Sequence, residues 1–179
     1  MNYLWLSEKQ AESIVRKALE VVPDEVCGLL AGHGQKVCKV IPISNVSDDP
    51  RRHYAMDNME LAQCLPELSD AGLDVVGFYH SHPKSEPIPS QEDIKDAHWP
   101  DAIYLIVSLK ANKPSLAAWR ITDDCVLPVE VHVGEKRPDM VDNTLSDAEK
   151  AAIIIGAIVV FVMMVVASLI LLPPAPPIH

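Results

Sequence analysis

The chain has 179 residues, of which 49% are hydrophobic, and it carries a formal net charge of -10. This length suits one domain of ordinary size plus an appendage, and it excludes two large globular units. The acidic balance argues against nucleic acid as a partner, because phosphate binding depends on clustered Lys and Arg side chains.

The chain then predicts helices and strands up to about residue 133. Ser7 and Gln10 form a capping-box pattern ahead of apolar residues at helical spacing, so a first helix is expected to end near Val22. Runs of branched and aromatic residues bounded by turn residues predict about six strands. The predicted elements are a helix over 7–22, strands over 26–31 and 37–43, a helix over 58–68, and strands over 73–80, 103–108, 115–121 and 126–133.

An uncharged apolar segment occupies the C-terminal part of the chain. Of the 22 residues from 151 to 172, 20 are apolar. As a helix they would measure about 33 Å, and the hydrocarbon core of a bilayer is about 30 Å thick. We therefore expect a single transmembrane helix that acts as a tail anchor. The predicted organisation is a soluble domain over 1–133, a linker over 134–147, a transmembrane helix over 148–172 and a short Pro-rich tail over 173–179.

Three observations predict that the soluble domain lies on the cytoplasmic side of the membrane. Lys136, Arg137 and Lys150 precede the apolar segment and no Lys or Arg follows it, which fits the positive-inside rule. The N-terminal residues do not have the pattern of a signal peptide. The four cysteines form no C-x-x-C pair and are too few for a disulfide scaffold, so we expect free thiols in a reducing compartment.

The segment from Tyr79 to Asp93 carries residues that can bind a metal ion. His80 and His82 are two positions apart at the end of a predicted strand, so both imidazoles lie on one face and can reach one ion. Asp93 lies in the first turn of a helix that is expected to begin at Ser90, and its carboxylate can approach the same ion. Two histidines and a carboxylate leave a fourth tetrahedral position for water, which is typical of catalytic zinc sites.

These residues also have a structural interpretation. Ser90 and Asp93 fit a helix N-cap followed by an acidic residue at the third helical position, a role that can coexist with chemistry because both use the same backbone geometry. Glu25 stands before an apolar strand, either as an exposed strand start or as a group directed at a site. Five further residues are expected to be structural or exposed: Cys27, His33, His53, His98 and His132.

Together these residues resemble the signature of the JAMM (MPN-plus) metallopeptidase family, in which a Glu is followed by His-x-His, ten residues and Asp. The pattern is formed here by Glu25, His80, His82 and Asp93, and Ser90 occupies the position of the family's serine. A His-Pro pair and the string Glu-x-Cys-Gly-Leu-Leu-x-Gly are similar to small prokaryotic members. The resemblance extends from about residue 4 to residue 133 and leaves the apolar segment outside.

The resemblance implies an α/β (α+β) fold with a mixed sheet of six to seven strands wrapped by helices. It implies one zinc ion per chain, bound by His80, His82 and Asp93, with Glu25 as the proton shuttle and Ser90 as a donor to the oxyanion. The implied reaction is hydrolysis of an isopeptide or peptide bond at the C-terminus of a ubiquitin-like or sulfur-carrier protein. Residues 45–57 resemble a family segment beside the substrate channel, although an ordinary surface loop fits them equally well.

We therefore expect a membrane-tethered zinc isopeptidase that acts in the cytosol. The alternative is a non-catalytic, membrane-anchored module that binds ubiquitin-like proteins without cutting them, and the complete set of zinc ligands favours the enzyme. The sequence leaves two kinds of bond open. One joins the carrier protein to a lysine side chain, and the other joins it to a released amino acid such as cysteine.

Overall fold

The structure of the protein is a computed structural model, which describes residues 3–99, 101–122, 124–136 and 147–170. The chain divides into two compact units, Met1–Pro138 and Asp139–His179. Most of the predicted linker and the whole of the predicted Pro-rich tail lie outside the described residues.

The described part of the first unit contains seven strands and three helices. The helices are α1 (Glu8–Val21), α2 (Asn58–Asp70) and α3 (Gln91–Lys95). The strands are β1 (Tyr3–Leu6), β2 (Cys27–His33), β3 (Lys36–Ile43), β4 (Asp74–His82), β5 (Ile103–Ser108), β6 (Ser115–Ile121) and β7 (Val126–Val133). Strands β5, β6 and β7 have the bounds that the sequence predicts.

The strands form one closed, mixed barrel in the order β1-β3-β2-β4-β5-β6-β7, in which β7 also pairs with β1. Strand β1 is parallel to both of its neighbours, and β4 is parallel to β5. The pairs β2–β3, β2–β4, β5–β6 and β6–β7 are antiparallel. The prediction of a mixed sheet with six to seven strands is confirmed, and the sheet closes on itself.

The sequence analysis did not predict strand β1. Its residues pair in parallel with β7, from Tyr3 opposite Glu130 to Leu6 opposite Val133. The indole N–H of Trp5 donates a hydrogen bond to the carbonyl oxygen of Gly134 at 2.7 Å. A run of four residues is too short to show a periodicity, and its partner strand lies at the other end of the domain sequence.

Ser7 caps helix α1, as the sequence predicts. Its hydroxyl oxygen accepts a hydrogen bond from the backbone N–H of Gln10 at 3.3 Å, and its own N–H donates to the Gln10 side-chain oxygen at 2.8 Å. This reciprocal pair satisfies two of the backbone donors that a helix start leaves free.

The strand side chains alternate between two buried clusters on the two faces of the barrel wall. Tyr79 belongs to the cluster that contains Ile14 of α1, whereas Phe78 belongs to the cluster that contains Leu68 of α2. Alternate residues of a strand share a face, so the two histidines that end β4 lie on the same face as Phe78. The fold therefore presents the predicted ligands on the side of the wall that α2 covers.

The second unit contains helix α4 (Asp147–Ile170). Within it, Ala151–Ser168 has a mean hydropathy of 2.9, and this stretch is long and apolar enough to cross a membrane by length and composition. Helix α4 begins at Asp147, the last residue of the predicted linker.

Candidate metal centre

Strand β4 ends with the two histidines that the sequence predicts as metal ligands. The Nε2 atoms of His80 and His82 are 3.0 Å apart, and both residues are buried. The pair faces one side because the residues occupy alternate positions of a regular strand. Two imidazole nitrogens therefore converge on one point inside the protein.

Asp93 brings a carboxylate to the same point from the first turn of α3. Its Oδ2 atom lies 3.5 Å from Nε2 of His80 and 3.3 Å from Nε2 of His82. The backbone N–H of Ser90 donates to this oxygen at 2.7 Å, and the Ser90 hydroxyl accepts from the backbone N–H of Asp93 at 3.1 Å. The same carboxylate oxygen of Asp93 thus takes part in the capping box and approaches both histidines. The helix cap and the metal site are therefore compatible.

The spacing of the three donor atoms fits a tetrahedral zinc ion. Zinc with bonds of about 2.0–2.1 Å separates its ligand atoms by about 3.3 Å. The three separations among His80, His82 and Asp93 are 3.0, 3.3 and 3.5 Å. Two nitrogens and one carboxylate oxygen are also the donor set of hydrolytic zinc sites that keep one position open.

The tautomer of His82 and the pKa values of His80 and Asp93 suit metal binding. Nδ1 of His82 lies 2.8 Å from the carbonyl oxygen of Glu86. A carbonyl only accepts, so Nδ1 carries the proton and Nε2 of the neutral ring keeps its lone pair. Burial lowers the pKa of His80, which favours its neutral form. Burial alone would raise the pKa of Asp93, but hydrogen bonds with His80 and His82 hold it well below its usual range.

Glu25 is buried, so the structure excludes the exposed strand start that the sequence left open. The residue is 7% exposed and stands just before β2. Its backbone N–H donates to the carbonyl oxygen of Pro50 at 2.6 Å, and its own carbonyl oxygen accepts from Nδ2 of Asn45 at 2.9 Å. Burial raises the pKa of its carboxyl to about 7, against an opposing effect of His82. A carboxyl with this pKa can accept and return a proton near neutral pH.

Ser81 of β4 forms hydrogen bonds with the residue that follows Glu25. Its hydroxyl oxygen accepts from the backbone N–H of Val26 at 3.0 Å, and its N–H donates to the Val26 carbonyl oxygen at 3.0 Å. In the β2–β4 ladder, Cys27 lies opposite His80. Burial lowers the pKa of His82, but its hydrogen bonds with Asp93 and with the Glu86 carbonyl raise the pKa above its usual value. The charge of Glu25 adds to this rise.

Tyr54 belongs to the site, and the sequence analysis missed it. Its ring stacks on the imidazole of His80, with centroids 4.2 Å apart and planes inclined by 20°. Tyr54 lies in the 45–57 segment, where the side-chain oxygen of Asn45 accepts from the backbone N–H of Ala55 at 3.0 Å. A loop aromatic has no fixed spacing from the strand histidines, so only the resemblance of the whole segment hinted at a role.

None of the residues expected to be structural belongs to the group of three converging donors. Cys27 is buried, and its thiol donates to the carbonyl oxygen of Ile43 at 3.5 Å. The four cysteines are free thiols. Among the described residues, no other set of three or more potential ligands comes together besides His80, His82 and Asp93.

A family model described as prokaryotic homologs of the JAB domain matches residues 7–122 of the chain. The chain belongs to this family. The match confirms the resemblance to JAMM proteins, and the JAB domain accounts for the mixed α/β fold. The C-terminal unit, Asp139–His179, lies outside the match.

Named relatives share part of the JAB domain. The desampylase of Haloferax volcanii is 48% identical over 88 residues, which make up 48% of this chain and 63% of that protein. The match thus spans less than two thirds of the desampylase. The CysO-cysteine peptidase of Mycobacterium tuberculosis is 36% identical over 117 residues, or 64% of this chain and 80% of that protein. The solution structure of protein DSY2949 from Desulfitobacterium hafniense superposes with a TM-score of 0.68 at 32% identity, covering 75% of this chain and 95% of that chain.

Proposed function

We propose that this JAB domain is a zinc-dependent peptidase that hydrolyses the bond at the C-terminus of a ubiquitin-like or sulfur-carrier protein. The observation that carries the proposal is the convergence of His80, His82 and Asp93 on one point, with a buried carboxyl, Glu25, just before the strand that pairs with β4. The names of the two relatives, a desampylase and a CysO-cysteine peptidase, support this class of substrate.

His80, His82 and Asp93 would hold the metal ion, one per chain. A zinc ion supplies Lewis acidity there, which lowers the pKa of a water molecule and polarises the scissile carbonyl. Glu25 accepts one proton from the attacking water and delivers it to the leaving nitrogen as the carbon–nitrogen bond breaks. The products are the carrier's C-terminal carboxylate and the leaving amine in its ammonium form, which carries both protons of the consumed water, so the reaction needs no further reactant.

In this proposal Ser90 donates a hydrogen bond to the oxyanion. Its hydroxyl oxygen accepts from the Asp93 backbone N–H, but the hydroxyl proton has no acceptor among the residues that the structure describes. That proton is therefore free to meet the negative charge that develops on the carbonyl oxygen of the substrate. The Asp93 carboxylate is oriented by the backbone N–H of Ser90 and not by its hydroxyl proton. A hydrogen bond from that hydroxyl to the substrate therefore does not disturb Asp93.

An extended substrate tail can reach the site along the 45–57 segment. Asn45 forms an isolated antiparallel bridge with Met56, and its side-chain amide also donates to the carbonyl oxygen of His53 at 3.2 Å. A short bridged loop of this kind offers backbone groups to which an incoming strand could add. The stacked ring of Tyr54 would bring this loop against the metal ligand His80.

Zinc content and turnover, measured together on the full-length protein in detergent, test the proposal. Glu25→Gln should retain one zinc per chain and lose most turnover of a ubiquitin-like conjugate, because the amide cannot accept a proton. His82→Ala should lose zinc and activity together. The matched control is Glu12→Gln, which changes an exposed carboxyl on α1 and should behave as the wild type.

Two results would contradict the proposal. A zinc-loaded Glu25→Gln protein with wild-type turnover would remove the proton shuttle. A wild-type protein that binds a ubiquitin-like protein, contains no zinc and cuts no conjugate would be the non-catalytic module instead. Addition of a chelator to the active protein should abolish turnover, and zinc should restore it.

We also propose that helix α4 anchors the protein in a membrane with the JAB domain on the cytoplasmic side. The support is the hydropathy of Ala151–Ser168 and the three basic residues on the N-terminal side of that stretch, Lys136, Arg137 and Lys150. The full-length protein should float with phosphatidylcholine liposomes in a density gradient. The double variant Ile158→Lys, Val162→Lys should stay with the soluble fraction, because each charge costs about 2.5–3.5 kcal/mol at the centre of a membrane helix. Flotation of both proteins to the same extent would contradict the anchor.

A further inference from the structure

A cavity beside Glu25 is lined by three cationic side chains. Its volume is about 550 Å³, and Arg51, Arg52 and Lys84 contribute to its wall together with Glu25 and Asp49. Lys84 is two residues after His82, so the cavity adjoins the metal centre along the chain that leaves β4. This volume lies within the range of about 300–1,000 Å³ that small-molecule sites occupy.

This cluster of positively charged side chains occurs in a chain that is acidic as a whole. The chain carries a net charge of -10. Arg51 lies near an acid, with its Nε 3.6 Å from an Asp24 carboxylate oxygen. In the described part of the structure neither Arg52 nor Lys84 forms an ion pair, and both side chains are exposed to the cavity mouth. Two positive charges are therefore available to an anionic ligand.

The proposed proton transfer from Glu25 indicates which part of the substrate lies in this cavity. Glu25 delivers a proton to the leaving nitrogen, so the atoms bonded to that nitrogen must lie next to the Glu25 carboxyl. Glu25 also lines a second cavity, whose wall carries Asp24 and Glu60. The cationic cavity is therefore the one that suits a negatively charged leaving group. This step rests on the proposed function.

The two kinds of leaving group differ in charge close to the nitrogen. When an α-amino group leaves, a carboxylate is attached two bonds away and is negative at neutral pH. When a lysine ε-amino group leaves, methylene groups follow the nitrogen, and the nearest carboxyl belongs to a peptide bond. Arg and Lys side chains form strong, charge-assisted hydrogen bonds with a carboxylate and gain nothing from methylene groups in the same place.

We propose that Arg52 and Lys84, with Arg51 beside them, bind the free carboxylate of an amino acid joined through its α-amino group to the carrier's C-terminal glycine. The preferred substrate is then an amino-acid adduct of the carrier rather than a lysine isopeptide. Binding of the carboxylate orients the scissile bond toward Glu25 and adds specificity that the metal ligands alone do not provide.

Three substrates built on one carrier protein test this preference. The probe is CysO, the carrier in the name of the mycobacterial relative, ligated at its C-terminus to alanine with a free carboxylate, to alaninamide, or to the ε-amino group of a lysine peptide. The zinc-loaded, full-length protein in detergent should cleave the free acid with a kcat/KM about tenfold above that of the amide, since a charged hydrogen bond is lost in the amide.

Substitution of the cavity's cations tests whether they cause the preference for the free acid. Arg52→Gln and Lys84→Gln should each reduce the ratio of acid to amide cleavage to below about threefold. Lys113→Gln is the matched control, because it removes an exposed cation in the β5–β6 turn and should keep the ratio. High salt should lower the ratio in the wild type, since these cations are exposed.

The outcomes separate this inference from the proposed function. If the wild type cleaves acid and amide equally well, or if both charge variants keep the full ratio, the carboxylate site is refuted while the peptidase stands. If the zinc-loaded wild type cleaves none of the three substrates, the proposed function fails on this carrier and the carboxylate site fails with it.

Discussion

Ser90 is predicted to have two separable roles, as a helix cap and as an oxyanion donor. Ser90→Ala removes the hydroxyl that accepts from the Asp93 N–H at 3.1 Å and keeps the backbone N–H that donates to the Asp93 carboxylate at 2.7 Å. Asp93 should therefore stay in position, and the zinc content should not change. The loss of the cap should lower the stability of the domain by about 1 kcal/mol, which corresponds to a melting temperature lower by roughly 3–5 °C in a domain of this size.

The catalytic effect of the same substitution should be much larger. Removal of one oxyanion donor costs about 2.7–4 kcal/mol in comparable sites, or about 100- to 1,000-fold in kcat. The assay measures kcat on a ubiquitin-like conjugate with full-length, zinc-loaded protein, together with zinc content and the melting temperature. The KM should change little if the hydroxyl acts only in the transition state.

Ser7 provides the matched control for Ser90. It is also an N-cap in a capping box, with its hydroxyl accepting from Gln10, but it belongs to α1 and has no part in the metal centre. Ser7→Ala should cost a similar stability and leave kcat unchanged. If Ser90→Ala and Ser7→Ala have the same kcat, Ser90 is a cap and nothing more. If Ser90→Ala loses zinc, its effect runs through Asp93 and the oxyanion role is refuted.

Three further predictions follow from single contacts. Tyr54→Leu should weaken zinc binding about tenfold in competition with a chromogenic chelator, because the ring that stacks on His80 is lost; Tyr54→Phe keeps the ring and should keep the affinity, and equal affinities of the two variants would contradict the idea. Burial raises the pKa of Cys27 to about 12, so iodoacetamide at pH 8 should modify the exposed Cys38 in the native protein and reach Cys27 only after unfolding, as mass spectrometry of the two peptides can check. Gly77→Ala would place a Cβ against the backbone oxygen of Ile103, closer than van der Waals contact allows, and it should lower the free energy of unfolding by about 1–3 kcal/mol in urea titration. An unchanged urea midpoint would show that strands β4 and β5 can move apart enough to accommodate the methyl group.

Local patterns in the sequence were sufficient to predict the three potential metal ligands. His80 and His82 face one side because a strand alternates its side chains, and Ser90 and Asp93 meet because a capping box spans three residues. Both effects act within a few residues, so no knowledge of the rest of the chain is needed. The same holds for Ser7 and helix α1.

Non-local contacts decided what the local patterns left open. Glu25 was either exposed or directed at a site, and only the β2–β4 register, with Cys27 opposite His80, buries it beside the histidines. Tyr54 joins the site through a loop whose course depends on hydrogen bonds from Asn45.

The amino-acid sequence by itself determined the metal-binding spacing, the capped helices, the strands β2 to β7 and the apolar C-terminal helix. These features arise from periodicity, capping and composition, which act over short distances along the chain. Only the tertiary structure decided the closure of the barrel by β1, the burial of Glu25 and the cationic cavity around Arg52 and Lys84. Those features require segments that are far apart in the sequence to pair. The register of the paired strands is fixed because each face of the barrel wall must bury its own set of side chains.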